Sequence, residues 1–341
     1  MKKSIILALA LLALPGCGTN AGKNADSPGI TTQIVPDILS SNHENVSVEE
    51  PADNGGTKNA SANNGNAKKI PPPPRREIEY GERTGAGSTY TGLEPLPKAD
   101  FSSFNAENTY NLPTAKIDHS FGVSVNEKPH EISVGSQDFF DSRGYFAVTY
   151  DNKTEEKVLY LTFDCGYENG YTEKLLDILK EKNVPAAFFC TLHDLKSSPE
   201  IIAREINEGH IVGNHTVGHP SFAEISRTKM VDEIKFFDDY LREHFGYSAP
   251  YFRNPKGEYT ESSLELVQSL GYKSFFWSVA YVDWDTTKQK GAGYAYEKVT
   301  SRLHPGAIIL LHTVSSDNAE ALGDIIDYAE NKGYVFKALE Y

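Results

Sequence analysis

Residues 158–190 read VLYLTFDCGYENGYTEKLLDILKEKNVPAAFFC. An apolar and β-branched run, VLYLTFD, stops at an acid, Asp164, and is followed at once by Cys165 and Gly166. Next, YTEKLLDILKEKN carries Leu175, Leu176, Ile178 and Leu179 on one helical stripe and ends at Asn183. PAAFFCT is then a second buried strand. The same alternation continues to the end of the chain. SSPEIIAREINEG predicts a helix with Ser197 and Glu200 as a capping box, Pro199 in the first turn and Gly209 at the stop. Strand-like HIVGNH, PYFRNP, YKSFFWSVA, GAIILLH and YVFKAL follow. They are separated by predicted helices over 226–244, 261–270, 295–303 and 318–331. Successive βα units with unalternating apolar strands imply an α/β fold, its parallel sheet buried on both faces as in a barrel or doubly wound sheet.

In such folds the chemistry gathers at the C-terminal ends of the strands. Those ends carry Asp164-Cys165, Asn214-His215, Arg253, Asp283-Trp284 and His312. One such residue is usually structural; a series at the same end of successive strands points to one site. His215 and His219 stand at i,i+4 in HTVGHPSF, a spacing that lets two imidazoles hold one metal from a loop favoured by Gly218 and Pro220. Few protein ligands would leave positions for water and substrate. Cys165 has two readings: a soft thiolate ligand completing a Cys165–His215–His219 zinc site, or a small space-filler. Cys190 ends the strand expected beside that of Cys165, so it reads either as a bridge partner or as a buried free thiol. Tyr294 and Tyr296 read as packing residues.

The rest of the 341 residues sets the context. MKKSIILALALLALPGC joins two lysines to an apolar run too short to span a bilayer, so residues 1–16 read as a signal peptide. Leu14, Gly16 and Cys17 resemble a lipoprotein lipobox, which implies lipid on Cys17; cleavage without lipid is the alternative. Residues 17–75, rich in Asn, Gly, Ser and Pro, would bury too little apolar surface to offset ordering entropy and read as a tether. Residues 76–157 read as a lead-in segment packed on a catalytic domain over 158–341. The chain is then exported and anchored to the outer face of the cell membrane, or secreted if unlipidated. A net charge of -14 with no basic block argues against nucleic acid. Three cysteines, one spent on lipid, make no disulfide scaffold.

TFDCG, HTVGH, RNPKG, VDWD and ILLH stand in the order of the five motifs of the polysaccharide deacetylases, the fourth family of carbohydrate esterases, which the chain resembles from about Tyr110 onward. GHIVGNHTVGHP, FFWSVAYVDWDTTKQKG and HPGAIILLHTVSSDNAEAL resemble its peptidoglycan N-acetylmuramic acid deacetylase branch, associated with spore cortex and muramic δ-lactam. The resemblance implies a distorted (β/α)7-type barrel and a divalent metal, zinc by the ligand types, on His215 and His219. It implies Asp164 as general base, Arg253 orienting it, and His312 as general acid tuned by Asp283. Trp284 and Leu310 would line the acetyl pocket, and a backbone N–H near Lys256 would face the oxyanion. The implied partner is a peptidoglycan glycan strand, met by a monomer. A deacetylase of N-acetylglucosamine in peptidoglycan or chitin-like chains, and a silent wall-binding lipoprotein, are the alternatives. Ala280 and Asn254 depart from the family's usual residues.

Overall fold

The computed structural model describes residue 101 and residues 105–339. The expected signal peptide, lipid-bearing Cys17 and tether lie outside the described residues. The first elements belong to the lead-in: strand β1 (Ile117–Asp118), helix α1 (Glu131–Arg143) and strand β2 (Ala147–Val148). Then come β3 (Val158–Cys165), α2 (Thr172–Lys182), β4 (Ala186–Cys190), α3 (Leu192–Ser197), α4 (Pro199–Asn207), β5 (Ile211–Asn214) and α5 (Arg227–Phe245). The remainder is β6 (Tyr251–Phe252), β7 (Glu258–Tyr259), α6 (Glu261–Ser269), β8 (Lys273–Phe275), α7 (Ala292–Thr300), β9 (Ala307–His312), α8 (Ser316–Asn331) and β10 (Val335–Phe336).

The core is a curled parallel sheet. β3 pairs with β4, β4 with β5, β5 with β6 and β6 with β8. β9 lies along β3. A parallel bridge from Val279, four residues past β8, to Ile309 of β9 closes the ring. β10 and β2 add to β3 and β8. This is the (β/α)7-type barrel expected, with β2 of the lead-in inside the main sheet.

Strand alternation divides the buried residues into two layers. Val158, Tyr160, Ala187, Phe189, Ile211, Tyr251, Phe275 and Ile308 pack together in one cluster. Leu159, Leu161, Phe163, Phe188, Val212, Phe252, Ile309 and Leu311 pack with the helices in the other. Every residue of β3 is buried, so the run shows no polar alternation although its two faces meet different surroundings.

Most helix limits follow from local chemistry. Asn183 caps α2 in the left-handed region, and Ser226 accepts a hydrogen bond from Lys229 N at the start of α5. The expected Ser197–Glu200 capping box is not formed. Ser197 is the last residue of α3, and Ser198 precedes Pro199 without a side-chain cap. The short α3 takes up the residues assigned to that cap. α7 begins at Ala292, three residues ahead of expectation, after Gly291 at φ 95°.

Gly213 of β5 is a close-approach position. An added Cβ would come 2.5 Å from the Phe189 ring. That ring packs on Arg253, with the guanidinium carbon 4.1 Å from its centroid. Gly213→Ala should therefore cost about 1–3 kcal/mol by overpacking, read as a lower urea midpoint. It should also lower turnover, because the displaced ring carries Arg253.

Candidate active site

The C-terminal ends of β3 and β9 are in register, with Asp164 opposite His312. Asp164 accepts a hydrogen bond on Oδ1 from Arg253 Nη1 at 2.8 Å. Arg253 has no exposure to solvent. Its Nε donates to Phe275 O at 2.8 Å and its Nη2 to Phe276 O at 3.2 Å, so the guanidinium is held on three sides and by the ring of Phe189. Burial alone would raise the Asp164 pKa. The charge of Arg253, with that of His312 adding, outweighs it and holds the carboxyl below its usual range. A buried pair of this kind costs about 3–5 kcal/mol to break from one side.

His215 and His219 sit on the loop after β5, their ring centroids 4.7 Å apart. His215 Nδ1 lies 2.9 Å from Arg253 O. An N–H there donates to the carbonyl and leaves Nε2 as a lone-pair donor, 3.5 Å from Asp164 Oδ2. Burial lowers the pKa of both rings, that of His219 to about 3, so both are neutral near pH 7. Two neutral imidazoles, one of them oriented by Arg253 O, beside a carboxylate suit a divalent cation.

The loop that presents them is strained and clamped. Thr216 and His219 adopt φ 73° and 55°, conformations that cost about 1–3 kcal/mol each for such residues. Asn214 Oδ1 accepts from Thr216 N, Thr216 Oγ1 from His219 N, and Glu233 Oε2 from Val217 N and Gly218 N. The clamping role of Glu233 was missed from the sequence. Its signal was a carboxylate on a helix face otherwise buried through Met230, Ile234 and Phe237.

His312 Nδ1 lies 2.7 Å from Asp283 Oδ1, and Asp283 Oδ2 accepts from His312 N at 2.7 Å. Asn318 of α8 donates to Asp283 Oδ2 at 2.6 Å and to His312 O at 3.1 Å. Asn318 is another residue the sequence reading missed. Its signal is its place three residues after Ser315, the helix cap whose side chain binds its N–H. Burial acts to lower the His312 pKa, but Asp283 through charge and hydrogen bond, with Asp164 adding, raises it above the usual histidine value.

The remaining expected residues are placed as follows. Trp284 follows Asp283 and is 55 % exposed, and Leu310 is buried on the same face of β9 as His312. Lys256 has φ 59°, and its charge acts on His219. At Gly257, a Cβ would approach Trp277 to 2.9 Å, so the turn past Lys256 needs a glycine. Cys165 is not brought to the histidines. It follows Asp164 on one strand and so faces the opposite way, into the helix-side layer with Cys190. Both thiols are free and buried.

The polysaccharide deacetylase family model matches residues 151–275. The peptidoglycan-N-acetylmuramic acid deacetylase PdaA of Bacillus subtilis is 42% identical over 230 residues, 67% of this chain and 86% of that protein. The chain belongs to the polysaccharide deacetylase family. A peptidoglycan-N-acetylglucosamine deacetylase of Bacillus cereus is 30% identical over 233 residues, 67% of the chain and 82% of the relative. The solved structure of Bacillus subtilis PdaA, described as a family 4 carbohydrate esterase, superposes with a TM-score of 0.63 over 67% of this chain and 96% of that one. Polysaccharide deacetylases of this class are metal-dependent.

The His312–Asp283 pair sets a pH signature. A proton donor works while charged, so kcat/KM should fall as pH rises through the raised His312 pKa. Asp283→Asn removes the charge that raises it and leaves burial, which lowers it. The alkaline limb of the profile should move to lower pH, while the acidic limb, set by Asp164, stays close to its wild-type position.

Proposed function

We propose that the chain hydrolyses the N-acetyl group of amino sugars in peptidoglycan, with N-acetylmuramic acid as its target. The observation that carries this reading is the register of β3 and β9, which sets an ionised acid, Asp164, beside a histidine of raised pKa, His312. Groups whose surroundings drive their protonation apart suit a base and an acid in one reaction. The 42% identity with PdaA, spanning most of that protein, favours muramic acid over glucosamine.

Asp164, kept ionised and fixed by Arg253, would take a proton from the attacking water through Oδ2. His312, held by Asp283 on Nδ1, would give a proton from Nε2 to the leaving nitrogen. Water adds to the acyl carbon, the C–N bond breaks, and acetate and a free amine result. His215 and His219 would hold a divalent cation, zinc by ligand type, whose positive charge would stabilise the developing oxyanion. A backbone N–H near Lys256 would add to that stabilisation. Leu310 and Trp284 would contact the acetyl group and the sugar. The freed amine of muramic acid would close onto its lactyl carboxyl, with loss of one water, as the δ-lactam of spore cortex.

Incubation with defined muropeptides should release acetate and leave the free amine on muramic acid. An amine found on glucosamine would overturn the muramic assignment, and no acetate at all would favour a wall-binding role. Asp164→Asn and His312→Ala should each cut turnover roughly 10²–10⁴-fold with the fold retained by circular dichroism.

A lipid on Cys17 would tether the enzyme to the outer face of the membrane. Cys17→Ala should move the protein from the detergent phase to the aqueous phase on phase partitioning, with specific activity unchanged. Wild-type protein that carries no lipid by mass spectrometry would overturn the anchor.

A further inference from the structure

The barrel's helix-facing layer holds a group of side chains that the proposed reaction does not use. Cys165 and Cys190 close β3 and β4 and are direct partners in register. With Asp194 of α3 they place two sulfurs and a carboxylate oxygen within 4.8 Å of one another, all buried. Glu205 of α4, with no solvent exposure, accepts a hydrogen bond on Oε2 from the Cys190 thiol at 3.8 Å. Its second oxygen, Oε1, is buried without a partner. The charges that act on Asp194 and Glu205 are acidic: Glu168 acts on both, and Asp194 also on Glu205. Burial accordingly pushes Asp194 up to about 6 and the Cys165 thiol up to about 12. Two thiols and two carboxyls thus converge in an apolar layer, one oxygen unmatched, which is costly for polar groups out of water.

We propose that Cys165, Cys190 and Asp194, with Glu205 closing the fourth position, form a buried structural site for a thiophilic divalent cation of the zinc type, separate from the His215–His219 pair. Tetrahedral zinc holds sulfur at about 2.3 Å and oxygen at about 2.0 Å, which sets ligand atoms roughly 3.3–3.8 Å apart. Glu205 Oε2 and Cys190 Sγ already stand at 3.8 Å, and the Cys165, Cys190 and Asp194 ligand atoms need only a small contraction from their 4.8 Å limit. Loading breaks two S–H bonds and the O–H bond of Glu205, whose buried, acidic surroundings favour its protonated form, and forms two metal–sulfur and two metal–oxygen bonds. The protons leave to water, and no oxidant or reductant takes part. Four protein ligands leave no open position, the mark of a structural centre. It would pin α3 and α4 to the ends of β3 and β4, one residue beyond Asp164. A Cys165–Cys190 disulfide is the weaker reading, because it leaves both buried oxygens of Glu205 without a partner, whereas a cation would bind one of them.

The test is titration with Co²⁺ of the full chain carrying Cys17→Ala, in which Cys165 and Cys190 are the remaining thiols. The expected result is thiolate-to-cobalt charge-transfer absorption saturating at one equivalent and displaced by zinc. The band should persist when His215→Ala and His219→Ala are added, and vanish in Cys190→Ala. Glu205→Gln should weaken the metal tenfold or more in competition with a chelator. Absence of the sulfur band at saturating cobalt in the Cys17→Ala chain, its loss with the histidines, or a disulfide by intact mass would overturn the proposal. None of these outcomes depends on deacetylase activity.

Discussion

A guanidinium sealed from water, held against one carboxylate, organises this barrel. Arg253 gives Nε and Nη2 to backbone carbonyls of Phe275 and Phe276 and Nη1 to Asp164. It therefore ties the end of β6 to β8 and to β3 across the barrel. A buried cation tolerates such a place only when every donor is matched and a counter-charge is near. The requirement propagates outward. Phe189 must lie flat beneath the guanidinium, so β5 must carry glycine at 213. His215 must turn Nδ1 toward Arg253 O, which fixes the tautomer that leaves Nε2 beside Asp164. One desolvated charge thus sets the ionisation of the base and the orientation of a metal-type ligand together.

The opposite wall of the site rests on a different device. Asp283 binds both the ring and the backbone N–H of His312, and Asn318 secures the second carboxylate oxygen from the first turn of α8. Tyr281 OH in turn donates to Asn318 Oδ1 at 2.5 Å. The loop between β8 and α7 is fastened to the same helix start, since Asp317 accepts from Lys290 N and Gly291 N. The acid side of the site is consequently built on hydrogen bonds to a helix terminus, where backbone N–H groups favour negative charge. The base side is built on a buried ion pair. The two walls meet through the pairing of β3 with β9, which needs no side chain to hold it.

Much of this was legible because the barrel repeats one rule. Apolar runs ending in Asp164, His215, Arg253 and His312 marked both the strands and the end where chemistry gathers, and the five motifs named their order. Asp164, His215, Arg253, Asp283 and His312 lie together at that end, and Cys165 does not join them. What the sequence hid follows from burial on both faces. In β3 all eight residues are buried, so no polar alternation marks which face each one takes. Asp164 and Cys165 look like one group in the sequence, yet a period of two must send them to opposite layers. The backbone rule alone would have separated Cys165 from the histidines. Glu233 and Asn318 were hidden for another reason: each sits on a helix whose stripe reads as ordinary packing, Glu233 binding backbone N–H groups of the loop after β5 and Asn318 binding the Asp283 side chain and His312 O. The six-residue α3 spans fewer than two turns, too short for its apolar positions to mark a helix in the sequence, and Ser197 therefore reads as a cap of the following helix.

The adjacency of Asp164 and Cys165 makes the end of β3 a shared support. Its inner face carries the ionised acid, and its outer face carries a thiol whose backbone carbonyl accepts from Thr191 N at the start of α3. The strand continues into Gly166, whose carbonyl accepts from Thr191 Oγ1. Thr191 is also the cap that accepts from Asp194 N. A single threonine therefore joins the first motif to the helix that presents Asp194. Any force that draws Asp194 toward Cys165 acts through this junction on the peptide unit next to Asp164. The end of β3 at Asp164 is thus held from two sides: by Arg253 on the carboxylate within the barrel, and by Thr191 on the backbone that follows it.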